Sequence, residues 1–150
     1  MTIKEVAEMI QQLTGADLFK IEPASDYPYH YQECCDLAKE ELENNVKPEI
    51  KHQINNIENY DVIYIGGPVW WYTICPVVTT FLKQYNYNLS GKKVYLFATN
   101  AGWLGHTFQD FEKLCENGSS KDCLNVVFDS NKLSQLKTEE SEIDNWIKNI

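Results

Sequence analysis

Two adjacent indoles, Trp70 and Trp71, follow a Gly66-Gly67-Pro68 triplet, and a third, Trp103, stands between Gly102 and Gly105. Aromatic faces beside glycines are what a flat apolar ring needs, because the faces stack while the glycines let backbone come close. Cys75 adds a thiol that could touch such a ligand, and His106 adds a group that could hydrogen-bond it or pass a proton. Each has a plainer reading: a Trp packs in the core or at a protein contact, a lone loop His faces solvent, and a Cys fills apolar space. No Ser-His-Asp, Cys-His or paired-carboxylate spacing suggests hydrolysis, so no catalytic residue is assigned. The five cysteines (Cys34, Cys35, Cys75, Cys115 and Cys123) show no metal-ligand spacing, so no metal site is assigned. His30 and His52 have no constellation around them.

The elements that must hold these residues alternate. Val62 to Ile65 is a β-branched run with no polar alternation, the pattern of a parallel strand buried on both faces. Gly66, Gly67 and Pro68 are expected to stop it, which puts the indole pair on a loop at its carboxyl end. Lys93 to Thr99 reads as a second such strand, ending in the loop Asn100 to His106, and Cys123 to Phe128 as a third. Ala16 to Ile21 alternates like a half-buried strand. Helices are predicted over residues 3–14, 31–45 and 107–115, from Pro76 to near Tyr85, and at the carboxyl end after Thr138. Thr2 and Thr138 are placed as N-caps, Gly15 as a C-terminal stop, and Asn117 to Ser120 as a turn. Ile143, Trp146, Ile147 and Ile150 form the last helix's apolar stripe. Such alternation predicts a single α/β domain over 1–150, a parallel sheet with helices on both faces.

Composition narrows the partners. All 13 basic residues are lysines, against 22 acidic ones, for a net charge of −9. No basic patch is available for phosphate neutralisation, so nucleic-acid binding is not expected, nor is side-chain bidentate recognition of phosphate. An acidic surface suits solubility or steering toward a basic partner protein. No apolar stretch spans a bilayer, no membrane partner is expected, and the first residues do not read as a secretory signal. The protein is therefore expected in the cytoplasm.

The motifs resemble the flavodoxin family. The residues that carry the likeness are Glu5-Val6-Ala7-Glu8-Met9-Ile10, Thr14 to Ile21, Tyr27-Pro28, Lys47-Pro48-Glu49-Ile50, and Tyr60-Asp61 with Gly67-Pro68-Val69-Trp70-Trp71 and Pro76. The resemblance implies a flavodoxin-like doubly wound sheet with FMN at the strands' carboxyl ends, a rule for which flavodoxin is itself a standard example. It further implies that Pro68, Val69, Trp70, Trp71 and Tyr72 on one loop, and Asn100, Ala101, Gly102, Trp103 and Gly105 on the other, hold the ring.

One departure from that family matters. Its first strand and the hydroxyl-rich phosphate loop should precede the first helix, and here only Met1 and Thr2 stand there. Thr2 is what remains for the phosphate, and losing charge-assisted hydrogen bonds of about 1.5–3 kcal/mol each would weaken or abolish that part of the site. Four strands are then expected. Either residues 16–21 pair directly with 61–65, or a second chain covers the edge as a homodimer, or the natural chain is longer. The leading expectation is an FMN-binding electron-transfer protein with a redox partner protein. The alternatives are a cofactor-less interaction module and a flavin-dependent reductase of quinones or other small acceptors.

Overall fold

The computed structural model describes residues 3–86, 88–115, 123–129, 131, 132 and 135–149. Thr2, the expected turn at 117–120 and Ile150 lie outside them. Helix α1 (Ile3–Thr14) and helix α2 (Tyr31–Glu43) come first, then strand β1 (Val62–Trp70), strand β2 (Thr73–Ile74) and helix α3 (Pro76–Gln84). Strand β3 (Lys93–Asn100), helix α4 (Thr107–Leu114), strand β4 (Leu124–Val127) and helix α5 (Glu140–Lys148) complete the order. The sheet runs β2-β1-β3-β4. β1, β3 and β4 are parallel, and β2 folds back on β1 as an antiparallel hairpin.

β3 shows why the sheet must be covered twice. Val94 and Leu96 belong to a core with Phe81 and Leu82 of α3 and Phe111 of α4. The alternate residue Phe97 belongs to a second core with Val6 and Ile10 of α1 and Ile143 and Ile147 of α5. A strand with apolar side chains on both faces can be buried only between two helical layers, and this is the α/β architecture that alternation implies. Several sequence expectations hold here. Pro76 opens α3 at its first turn, and Gly15 stops α1 at φ 74° with its N–H donating to Gln11 O at 2.8 Å.

Three expectations are overturned. Residues 16–21 form no strand and do not pair with β1; the count of four strands is met by the β2 hairpin instead. Alternation marks a half-buried strand, but a strand also needs a partner edge, and none lies beside this segment among the described residues. Gly66-Gly67-Pro68 does not end β1, which continues in register to Pro68↔Thr99 and then to Trp70. These glycines are there for space: a Cβ on Gly66 would run into the Phe97 ring, and one on Gly67 would lie 3.0 Å from Val78 Cγ2. Pro68 is tolerated because β2 reaches only Val69 and Trp70, leaving the outer edge beside it unpaired by any strand among the described residues. Finally, Thr138 is not the α5 cap. Glu139 holds that position, while Thr138 Oγ1 accepts from Val127 N at 2.8 Å and ties the chain to β4.

Replacing Gly66 by Ala should push a methyl into the fully packed Phe97 ring and destabilise the fold by about 1–3 kcal/mol. Equilibrium urea unfolding measures this, and an unchanged midpoint would mean that Phe97 moves freely.

Candidate functional site

The carboxyl ends of β1 and β3 place the two aromatic loops side by side. β1 and β2 are joined by a two-residue turn made of Trp71 and Tyr72, with φ 51° and 66°. Two consecutive residues at positive φ match the twist of a tight hairpin, but that conformation normally calls for Asn-Gly. In bulky aromatics the left-handed region costs roughly 1–2 kcal/mol per residue. The strain turns both rings outward: Trp71 is 44% and Tyr72 52% exposed, and Trp103 on the facing loop is 57% exposed.

Bonds from three directions hold the strained turn. The His106 N–H donates to Tyr72 O at 2.9 Å, joining the two loops. The Trp71 indole N–H donates to Cys35 O on α2 at 3.0 Å, and Lys39 Nζ lies 5.4 Å from the centre of the same ring. Thr73 Oγ1 donates to the Asp110 carboxylate, which also contacts His106 Nδ1. Gly105 presses against the Tyr72 backbone so closely that any Cβ there would collide with it.

The remaining sequence-predicted residues divide between support and surface. Trp70 points inward, packing edge-on against Tyr27 at 4.9 Å and joining the core on the α3 side. Tyr27 is fixed in turn by donating to Glu41 Oε2 at 2.8 Å, and burial and then this carboxylate push its phenol well above the usual tyrosine range. Pro68 and Val69 lie within β1, half-buried. Asn100 bridges the loop to β4: its Nδ2 donates to Asn125 Oδ1 at 2.6 Å, and its Oδ1 accepts from Gly102 N at 2.9 Å. The Gly102 N–H is thereby engaged within the loop, which turns at φ 112° there with open space where a side chain would be. Ala101, beside it, is half-buried. Thr2 lies outside the described residues.

Cys75 is not at the surface. It is 2% exposed beneath the hairpin as the N-cap of α3, and burial pushes its thiol up to about 12. The sequence reading names Tyr27 only as part of the family likeness and passes over the braces Lys39, Thr73 and Asp110. Only Asp110 carries a local signal, standing four residues after His106 at the start of α4, the spacing that brings side chains together on a helix. Tyr27 and Lys39 act from segments distant in sequence, and Thr73, next to the turn, acts through its bond to Asp110. Among the described residues no group of three or more His, Cys, Asp and Glu side chains could hold a metal ion. None of the helices is long and apolar enough to cross a membrane.

The arrangement is therefore a platform of three outward aromatic rings on two interlocked loops at the carboxyl ends of parallel strands. A family model described as Flavodoxin matches residues 1–150. The chain belongs to the flavodoxin family. Among solved structures, a candidate flavoprotein from Bacteroides eggerthii is 28% identical with a TM-score of 0.80, covering 99% of this chain and 90% of its own. A flavoprotein from Lactobacillus acidophilus in complex with FMN is 23% identical with a TM-score of 0.75, covering 96% of this chain and 89% of its own. A search of curated proteins found no match.

Two outcomes are expected from this geometry. Tyr72→Gly should relieve the left-handed strain and raise stability by about 1 kcal/mol, read from urea unfolding, while removing a ring from the platform. A thiol raised from 9.0 to about 12 in the folded state stabilises the fold fully below pH 9. That contribution is lost as pH climbs toward about 12, because the unfolded chain gives up its proton first. Stability measured across this window should fall less steeply in Cys75→Ala than in the parent chain, and equal slopes would contradict the burial of the thiol.

Proposed function

We propose that the chain binds FMN on the aromatic platform and serves in electron transfer. The observation that carries this reading is the strained Trp71-Tyr72 turn. Two bulky residues held at positive φ cost stability, and such strain persists where the orientation it produces is used. Membership of the flavodoxin family and the FMN complex of the similar Lactobacillus acidophilus protein support it. The residues present suit a flat ring: Trp71, Tyr72 and Trp103 offer exposed faces, and Gly102 leaves open space beside them.

When bound, FMN supplies one- and two-electron redox chemistry. This chain's residues then bind and orient it. The indoles stack and keep water from the ring, while the Asn100–Asn125 bridge fixes the second loop to the sheet. Asp110 holds the His106 imidazole through Nδ1. Lys39, placed over Trp71, is the cation of the hairpin's outer side. The excess of acidic residues suits a redox partner with a basic docking face, in the cytoplasm.

The second reading is an interaction module without a cofactor. The same three exposed rings favour it, since a cluster of outward aromatics also marks a protein contact. Titrating the apo protein with FMN and with riboflavin, followed by flavin and Trp fluorescence, separates the two. FMN should quench, and Trp103→Ala should weaken its affinity by about 2- to 13-fold, the equivalent of 0.5–1.5 kcal/mol of stacking. Equal affinity for riboflavin would show that the phosphate contributes nothing. Absence of quenching by either flavin would leave the interaction module as the reading.

A further inference from the structure

His106 stands at the seam of the two aromatic loops with one ring nitrogen engaged and the other open. Its backbone N–H donates to Tyr72 O at 2.9 Å, and its Nδ1 contacts Asp110 Oδ2, the same oxygen that accepts the Thr73 hydroxyl. The imidazole side chain is 61% exposed, and Nε2 has no hydrogen-bond partner among the described residues. His106 occupies the N-cap position of α4, yet its side chain makes no capping bond to that helix. Its one polar contact goes to a carboxylate that the hairpin also holds.

That contact decides where the ring titrates. A carboxylate against Nδ1 keeps the proton on that nitrogen, so a further proton is gained or lost at Nε2. The charged and titratable groups around the imidazole are Asp110 on its own helix, Tyr72 on the facing hairpin and, across the turn, Lys39 of α2. Lys39 is already shared between Glu43, at 4.0 Å, and the Trp71 face. The chain as a whole carries a net charge of −9 and no arginine. Histidine is the side chain whose charge ordinarily changes between pH 5 and 8, and His106 is the one bonded to both loops.

We infer that His106 takes up a proton at Nε2 when FMN on the platform is reduced and returns it on reoxidation, so that the protein itself carries a proton with the electrons. This rests on the FMN reading above. Two electrons from a low-potential donor and one proton from solvent leave one negative charge on the flavin ring. A second proton from solvent bonds to the Nε2 lone pair. The imidazolium so formed offsets the new charge, which the excess of acidic residues otherwise disfavours. On reoxidation the two electrons pass to the acceptor and both protons return to solvent. Asp110 is a positioning residue: its charge favours the imidazolium, and its bond to Thr73 fixes the ring at the seam.

The test follows the full chain loaded with FMN, by NMR titration of its three histidines and by potentiometry with dithionite as reductant. Reduction should raise the His106 titration midpoint by about one pH unit or more, and those of His30 and His52 by less. Between the oxidised and reduced midpoints, the parent chain should take up about two protons per two electrons. His106→Gln, which keeps the backbone bond to Tyr72 O, should take up about one. In the apo chain, Asp110→Asn keeps an oxygen for Thr73 but loses the charge, and should lower the His106 midpoint by about one unit. A His106 midpoint that does not move on reduction overturns the inference, and so does a two-proton uptake undiminished in His106→Gln, which would put the second proton on the flavin. An apo midpoint unmoved by Asp110→Asn overturns the positioning role. A chain that takes up no FMN overturns the proposed function and this inference with it, whereas bound FMN beside a stationary His106 overturns this inference alone.

Discussion

The parallel pairing of β1 with β3 is the interaction on which everything else rests. It runs in register from Val62↔Lys93 to Pro68↔Thr99, and both aromatic loops are the carboxyl-end continuations of these two strands. The pairing is possible at this closeness because Gly66 stands directly beside Phe97 with no side chain of its own. Phe97 can then turn its ring toward α1 and α5, leaving Val94 and Leu96 to meet α3 and α4. One missing Cβ thus fixes the sheet's two-sided packing and, through it, the spacing of the loops above.

The loops themselves are held by contacts that cross the fold. α2 reaches the hairpin through the Cys35 carbonyl and Lys39, and Tyr27 wedges against Trp70 from the segment before that helix. α4 reaches it through His106 and Asp110. A turn that would relax if left alone is thereby fixed from both flanks. This is how a strained conformation survives in a fold of ordinary marginal stability.

Much of this architecture was legible in the residues. The runs at 62–65, 93–99 and 123–128 could hardly be anything but buried strands, and Pro76 and Gly15 mark helix ends by removing or freeing a backbone degree of freedom. Gly66 and Gly67 misled because one residue type serves two purposes, allowing a turn and allowing close approach, and only the partner's position tells them apart. Residues 16–21 misled because alternation reports what a segment can do and says nothing of whether a neighbour exists. Trp70, Trp71 and Trp103 were visible as a candidate group. Their division into one inward anchor and two outward faces was not, since it depends on Tyr27 and on positive φ angles that aromatic residues rarely adopt.

The bond from the Trp71 indole to the Cys35 carbonyl has an optical consequence. An indole whose N–H is tied to a helix carbonyl and whose face lies under an ammonium emits from a polar, ordered surrounding, whereas Trp146 sits among Tyr64, Tyr95 and Phe97 on the other side of the sheet. The two chromophores report on opposite layers of the same molecule. A shift of α2 against the hairpin would therefore change the colour of one while leaving the other dark to the event, giving the protein an internal gauge of its own rim.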